Sequence, residues 1–593
     1  MAIQSNFPSV RPSLLLDFQN TKQLDSRITY TRASTATFYN GVTTSMAEQN
    51  LMTYSQDVSN AAWQKASTTV TADSTTAPDG TTTADTVTAS AATAAHYVAQ
   101  NVTVALSTNI THSFYAKAGT QNYVQLAAGA EGGFYANFDL STGVVGTSAG
   151  AVSTSIVSAG SGWYRCIATV LSTVSSTSLV AVLVPTTSST RIPSWAAAGT
   201  ETVFLWGLQT EQRSAVSAYT ATTTQAITNY IPVLQTAASG VARFDNNPTT
   251  GESLGLLIEE SRTNLLTYSG DQSNAAWGKT GTTVTSAANV APDGTQTASL
   301  VVASTSTSTK FISQTISSLT GTYTFSVYGK ASNVTSINVR ELNTTGTFAI
   351  FNLSTGAISS QTGGGSATIT SVGNGWYRCS ISFTLASQAA GCGVYLTSTA
   401  SYTGDGYSGA FIWGAQLEAG AFPTTYIPTV ASQVTRAADN ASMTGVNFSS
   451  WYRADEGTIF IDANGYQPAL IFSNANSGYN NIRQLYRSPS TTQPLTVYEA
   501  NSGVVSVSNQ SMGNTNGLTF KCAYGFKTND FAGSVNAGTV ATDTSGIPAL
   551  AVDRLGIGVE FGISATYVLT GTFRKIAFYP LKVTSTQLQA LTS

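Results

Sequence analysis

Two copies of one long module make up most of this chain, and the duplication limits its fold more than any other feature. Residues Asn50–Ser55 (NLMTYS) recur as Asn264–Ser269 (NLLTYS), 214 positions later. Residues Gly162–Cys166 (GWYRC) return as Gly375–Cys379, 213 positions later. Solenoid repeats have periods of about 20–50 residues, so a spacing this long indicates duplicated whole domains. The chain is therefore expected to hold at least two related domains.

The composition is that of a folded protein with few charges. Only 9% of the 593 residues are charged, against about 25% in typical soluble domains. Aromatic residues reach 10% and the net charge is −3, whereas disordered chains combine few aromatics with high net charge. No lysine or arginine run could neutralise phosphates, so nucleic-acid binding is not expected. We also expect no membrane insertion and no secretory signal, and hence synthesis in a cytosol.

Polar and apolar residues alternate with a period of two, which predicts strands. In copy one, Tyr164, Cys166, Ala168 and Val170 would form one face of a strand, and the matching residues of copy two repeat that face. Each copy also carries a Phe-x-Leu-Ser-Thr-Gly segment, which ends at Gly143 in copy one and indicates a hairpin turn. Many short strands with regular turns favour a sandwich or jelly roll.

The repeat also sets the predicted domain boundaries. We predict an N-terminal segment (1–48), a first module (49–235), a connector (236–263), a second module (264–430) and a different β-sandwich (431–593). Near the end, Thr584 and Gln587 have capping-box spacing and predict a short terminal helix.

The four cysteines do not form a disulfide framework. Cys166 and Cys379 occupy the same place in the two copies, while Cys392 and Cys522 have no counterparts. A framework would place pairs inside each copy. We expect the repeated cysteines to be small buried core residues.

Several motifs resemble those of tailed-bacteriophage virion proteins. The copies are similar to carbohydrate-binding-module-like jelly rolls in the Asn-Leu-(Leu/Met)-Thr-Tyr-Ser opening, the Ala-Pro-Asp-Gly turn, the Gly-Trp-Tyr-Arg-Cys strand and the Trp-Gly-(Ala/Leu)-Gln ending. Segments Arg32–Phe38 and Gly251–Glu260 resemble phage structural proteins, in which the two often lie close together in sequence. Here the first module separates them, as though inserted. Residues 431–593, and Phe573–Leu591 most of all, resemble a concanavalin A-like or laminin-G-like lectin sandwich.

The resemblance implies an all-β chain: two tandem jelly-roll β-sandwiches followed by a concanavalin A-like (laminin-G-like) β-sandwich. It also implies a structural protein of a phage particle, in a fibre, a tail or a head decoration. Such a protein would be assembled in the host cytoplasm and exposed on the virion exterior, with residues 1–48 as its attachment segment. The implied partners are other virion proteins, further copies of the chain, as in a trimer, and host-surface polysaccharide.

The residues do not suggest an enzyme. His96 and His112 are the only histidines and neither recurs, so a Ser-His-Asp triad or a zinc site is not expected. Glu211 and Glu418 recur without a second acid, which favours solvated or hydrogen-bonded carboxylates over a glycosidase pair. No cofactor is expected, and no ligand-dense loop supports calcium. A polysaccharide-degrading hydrolase and an architectural capsid cement protein remain the alternatives.

Aromatic side chains are the candidate glycan contacts, because their faces stack on sugar rings. Trp63 and Trp277 recur between the copies, while Tyr466 and Tyr479 lie in Gly- and Asn-rich stretches that predict loops. The alternative for the recurring tryptophans is packing in the core.

A second tryptophan of each copy, Trp163 and Trp376, could contact sugar in the same way. It could also form a cation–π pair with the arginine two residues later, Arg165 or Arg378.

Overall fold

The computed structural model describes residues 8, 10–128, 133–343, 346–396, 400–465, 469–473, 480–487, 494–514, 519–558 and 570–593. The described chain is built from strands, with three short helices. The first elements, before copy one, are β1 (Leu14–Asp17), α1 (Phe18–Thr21), β2 (Thr29–Thr31) and β3 (Ala36–Asn50).

Copy one contributes fourteen strands, which are between 2 and 10 residues long. In chain order they are β4 (Gln64–Ala66), β5 (Thr68–Thr75), β6 (Ala84–Ala89), β7 (Thr93–Ala94), β8 (His96–Thr103), β9 (Asn109–Ala118), β10 (Tyr123–Ala128), β11 (Tyr135–Asp139), β12 (Val144–Ala149), β13 (Ser153–Ser158), β14 (Trp163–Leu171), β15 (Ser176–Leu183), β16 (Trp195–Ala196) and β17 (Thr202–Glu211).

Four strands connect the copies: β18 (Ile227–Ala237), β19 (Arg243–Asn246), β20 (Ser253–Ile258) and β21 (Arg262–Asn264). Copy two then adds β22 (Gly278–Thr280), β23 (Thr282–Asn289), β24 (Ala298–Ala303), β25 (Thr307–Ser308), β26 (Phe311–Ala331), β27 (Ser336–Glu341), β28 (Phe348–Asn352), β29 (Ala357–Thr362), β30 (Ala367–Gly373), β31 (Trp376–Leu396), β32 (Tyr402–Thr403) and β33 (Gly409–Ala419).

The remaining elements are β34 (Val434–Arg436), β35 (Asn440–Thr444), α2 (Val446–Ser449), β36 (Glu456–Asn464), β37 (Ala469–Ser473), β38 (Ile482–Arg487), β39 (Pro494–Asn501), β40 (Val504–Asn514), β41 (Thr519–Lys527), β42 (Asp530–Val535), β43 (Ala541–Asp543), β44 (Arg554–Ile557), β45 (Gly571–Tyr579) and α3 (Ser585–Thr592). The predicted capping box of α3 is confirmed, because the Thr584 and Gln587 side chains each bond the other's backbone N–H.

The C-terminal sandwich is completed by strands from far earlier in the chain. One of its sheets has the order β19-β20-β45-β36-β41-β42-β43, with β1 also paired to β45. The other has the order β2-β35-β44-β37-β38-β39-β40. We call this unit the host sandwich. The predicted boundaries at 1–48, 236–263 and 431–593 therefore differ from the structure, in which parts of all three segments form one body.

The reason lies in the side chains of the early strands. Leu14 and Leu16 alternate inward on β1 and are almost fully buried in the same core as Ile459, Phe526 and Phe578. A strand with one apolar face needs a sheet to cover it, and the edge of β45 supplies one.

Each jelly roll is an insertion carried on a two-stranded stem. Antiparallel pairing of β3 with β18 brings Asn50 opposite Ile227, and copy one (jelly roll 1) lies between them. Pairing of β21 with β34 brings Asn264 opposite Val434, and copy two (jelly roll 2) lies between those. The sequence suggested that copy one is inserted between the segments Arg32–Phe38 and Gly251–Glu260. The strand pairing shows this insertion, and it shows a second insertion of the same kind for copy two.

The two jelly rolls have matching sheets. Jelly roll 1 packs β12-β11-β10-β15-β8-β4 against β13-β14-β9-β17-β6-β5. In jelly roll 2 the long strands β26 and β31 pass through both layers, which joins them into one continuous ten-stranded sheet. The predicted inward face of Cys166, Ala168 and Val170 is confirmed in the core of jelly roll 1. All four cysteines are buried and free of disulfides.

Five buried charged residues hold the host sandwich to both stems. Arg243 lies between two acids: its Nη1 is 2.7 Å from Glu259 Oε2, and its Nη2 is 2.5 Å from Asp439 Oδ2. Arg436 of β34 lies 2.9 Å from Glu259, and Arg32, just before β3, lies 3.1 Å from Asp439. We call these five residues the charged joint.

Hydrogen bonds extend the charged joint into the backbone. Arg32 donates to the carbonyl of Ala238 after β18, and the Glu259 N–H donates to Asp439. Thr425 of jelly roll 2 donates to Glu259 through both its N–H and its hydroxyl. Although burial opposes ionisation, Arg436 and Arg243 lower the pKa of Glu259 to about 2, so this carboxylate is ionised at neutral pH.

Candidate functional site

The candidate site lies on one sheet of each jelly roll. It is the face of that sheet that points away from the core. In jelly roll 2 one cross-strand row on this face runs Ile350, Asn338, Tyr395, Phe311, Thr280. The next row runs Phe348, Arg340, Gly393, Ser313, Gly278. Neighbouring residues on β27, such as Ile337 and Val339, point into the core instead. We call the two rows the aromatic face.

In jelly roll 1 the equivalent face is filled by a segment of the same module. The loop of residues 184–194 lies over it and bonds to two buried amides. The Gln125 amide donates to the Thr190 carbonyl and accepts from the Ile192 N–H, at 2.9 and 2.7 Å. The Asn137 amide donates to the Ser189 carbonyl at 2.7 Å. This face is therefore occupied by the protein's own chain.

Jelly roll 2 has a much shorter loop at this place. Its connection from β31 to β32 is residues 397–401, where jelly roll 1 uses 184–194 between β15 and β16. Residues 397–399 lie outside the described part of the chain. At the position of Gln125, jelly roll 2 carries Asn338, and at the position of Asn137 it carries Ile350. The pair of amides that holds the loop in jelly roll 1 is thus replaced.

Two pairs of side chains shape the aromatic face. The rings of Phe311 and Tyr395 are stacked, with centroids 4.5 Å apart and planes at 18°. Arg340 lies over the Phe348 ring at 5.1 Å. All four are partly exposed. Burial raises the pKa of the Tyr395 hydroxyl, and Arg340 opposes that rise, so the phenol stays protonated at neutral pH.

Asn338 lies in the middle of this face with an unused acceptor. The residue is 2% exposed, and its Oδ1 has no hydrogen-bond partner among the described residues. A buried amide oxygen without a partner costs free energy, on the order of 1–3 kcal/mol. In jelly roll 1 the equivalent Gln125 oxygen accepts a backbone N–H from the covering loop. The aromatic face therefore combines aromatic rings with the amide oxygen of Asn338, which could accept a hydrogen bond from a ligand.

The predicted tryptophans Trp63 and Trp277 are core residues. Each is 2% exposed, and each indole N–H donates to a backbone carbonyl, that of Tyr54 or Tyr268, at 3.1 Å. Both rings are part of the buried cores of their jelly rolls. Sugar contact at these positions stays an untested prediction. Tyr466 and Tyr479 lie outside the described residues.

The recurring Trp-x-Arg pairs take different partners from those expected. Trp163 and Trp376 are buried, and the arginines form their cation–π contacts with tyrosines. Arg165 lies 5.3 Å from the Tyr115 ring, and Arg378 lies 5.4 Å from Tyr328. The cause is register, because Tyr115 is directly opposite Arg165 on the neighbouring strand.

The acids and histidines considered at first are buried inside the modules. Glu211 accepts from the hydroxyl and N–H of Ser217, and Glu418 accepts from those of Thr424, so both are hydrogen-bonded rather than solvated. Burial lowers the pKa of His112 to about 4, and its Nδ1 contacts the Thr210 hydroxyl at 2.9 Å.

The described residues lack two structural features. They contain no group of three His, Cys, Asp or Glu side chains placed to hold a metal ion. None of their helices has the length and apolar character needed to cross a membrane.

The residues of the aromatic face were not singled out from the sequence. Phe311 and Tyr395 are far apart in the chain and meet only through the pairing of β26 with β31. A signal was nevertheless present in the repeat spacing. It is 213 at Cys166 and Cys379 but 207 at Trp206 and Trp413, so copy two is six residues shorter than copy one between these points. The loop between β31 and β32 accounts for this difference, since it has five residues where the loop between β15 and β16 has eleven.

No family model and no curated protein matches the chain. Among solved structures, the CBM40 of a Ruminococcus gnavus IT-sialidase aligns at 15% identity and TM-score 0.23, over 25% of this chain and 88% of that one. A variant of the NanB sialidase from Streptococcus pneumoniae aligns at 14% and 0.22, over 25% of this chain and 26% of that one. Mouse laminin alpha1 LG4-5 aligns at 10% and 0.17, over 45% and 85%. At these scores the likenesses carry no functional argument, and the fold rests on the strand pairing described above.

Proposed function

We propose that this chain is a non-enzymatic glycan-binding protein and that the aromatic face of jelly roll 2 is its binding surface. The observation that supports the proposal is the difference between the copies. Jelly roll 1 fills its face with loop 184–194, whereas jelly roll 2 has a shortened loop, stacked rings and an unpaired buried amide oxygen. Sugars offer an apolar ring face to aromatic side chains and hydroxyl donors to an amide.

The proposed setting is the exterior of a tailed-phage particle, where the chain would bind host-surface polysaccharide. The motif resemblance supports this part of the proposal, together with the expected virion partners and a homo-oligomeric assembly. The low charge of the chain, 9% charged residues, suits close packing against neighbours because few ions need desolvation. The rivals are a polysaccharide hydrolase and an architectural cement protein.

The test is equilibrium binding of the full chain to a panel of bacterial surface polysaccharides. Tyr395→Ala removes half of the ring stack and is expected to weaken binding at least tenfold, which corresponds to about 1.4 kcal/mol. The matched control is Tyr230→Ala, since Tyr230 is 59% exposed on the stem strand β18. Equal affinity of Tyr395→Ala and wild type would reject this surface.

The same incubations separate the rivals. Release of reducing ends by the wild-type protein would favour the hydrolase. Failure to bind any polymer of the panel would favour the cement protein.

A further inference from the structure

The aromatic face carries one charge, and that charge has no counter-ion among the residues that the structure describes. Arg340 is the single charged residue in the two rows of the aromatic face. Its contacts among the described residues are the Phe348 ring below it and an electrostatic effect on Tyr395. No hydrogen bond or ion pair of its guanidinium occurs within the described part of the chain. At the equivalent position jelly roll 1 has Ala127, buried beneath its loop.

The fully buried arginines of this protein, and the partly buried ones that lie over tyrosine rings, all have polar partners. Arg32, Arg243, Arg436 and Arg483 each contact a carboxylate within 3.1 Å. Arg165 and Arg378, which also lie over tyrosine rings, donate to a backbone carbonyl and a serine hydroxyl. A guanidinium offers five N–H donors in a planar fork that matches a carboxylate. Arg340 is therefore an exception among these arginines. A bound anion would supply the partner that its guanidinium lacks among the described residues.

Resting on the proposed function, we infer that the aromatic face selects acidic glycans, with the sugar carboxylate bound by Arg340. The sugar ring would stack on Phe311 and Tyr395 while a hydroxyl donates to Asn338 Oδ1. With a net charge of −3 the chain as a whole offers no general attraction to polyanions, so a preference for acidic glycans would depend on a local cation such as Arg340. Neutral sugars would leave the guanidinium of Arg340 without a negatively charged partner, so they would bind more weakly than acidic sugars.

The test compares each acidic polymer with a neutral form of the same polymer. The full chain is titrated with polygalacturonate, alginate, hyaluronan and polysialic acid, each before and after chemical reduction of its carboxylates to alcohols. We expect at least one polymer to bind tenfold or more tightly before reduction. Arg340→Gln should remove that preference, Arg340→Lys should keep part of it, and Arg11→Gln, at an exposed position in the N-terminal region, should leave it unchanged.

The outcomes separate this inference from the proposed function. Equal binding before and after reduction, or an acid preference that survives Arg340→Gln, would overturn the inference and leave glycan binding standing. Failure of both forms of every polymer to bind would instead reject the proposed function. Circular dichroism and thermal melting of each variant establish that the fold is intact.

Discussion

The first residue of each copy is an asparagine whose side chain bonds to the end of the same copy. The side chain of Asn50 donates to the carbonyls of Leu208 and Thr220, and thus ties the first residue of copy one to its last strand and the loop after it. Asn264 makes the same two bonds to Ala415 and Ile427 in copy two. Each bond is worth about 1 kcal/mol net. The opening asparagine therefore closes the module at its base, beside the stem.

The charged joint gives a prediction at this scale. Asp439→Asn would leave Arg32 and Arg243 buried with one fewer negative charge, and is expected to destabilise the protein by about 3–5 kcal/mol. The matched control is Asp455→Asn, which breaks the exposed pair with Arg453 and should cost less than about 1 kcal/mol. Urea titration of both variants measures the difference. Equal stability of the two would contradict the role of the joint.

The strands within each copy were predictable from the sequence, but the pairing of strands that are far apart in the chain was not. The strand of Tyr164 and Cys166 was readable because its alternation repeats, and the turn between β11 and β12 was readable because it carries Gly143, which has a positive φ. Pairing of β1 with β45 joins residues more than 550 positions apart, and no local pattern encodes such a partner. The same limit hid the aromatic face, because its rings come from separate strands.

The stems give a prediction at the element scale. Because Asn50 and Ile227 are directly opposite, a two-residue Asn-Gly turn can replace residues 51–226 and convert β3 and β18 into a hairpin. The shortened protein is expected to remain folded and monodisperse, with the host sandwich and jelly roll 2 intact. Size-exclusion chromatography and thermal melting check this. Aggregation of the shortened chain would show that jelly roll 1 is required for folding of the rest.

At the scale of the whole molecule, one β-sandwich carries two insertions of the same kind. Both stems end at the charged joint, where Arg32 lies between β2 and β3 and Arg436 lies on β34. The two copies keep the same core and the same closing asparagine, and they differ on the outer face of one sheet. The loop that covers this face in jelly roll 1 is six residues shorter in jelly roll 2, and the proposed binding surface depends on that difference.

Hydrogen exchange of the full chain, with and without the tightest-binding polysaccharide of the panel, tests this difference most directly. We predict slower exchange on bound protein in β27 (Ser336–Glu341) and in the last residues of β31, with no change in the equivalent β10 (Tyr123–Ala128) and β15 (Ser176–Leu183) of jelly roll 1. Protection confined to jelly roll 1 or to the host sandwich would contradict glycan binding at the aromatic face.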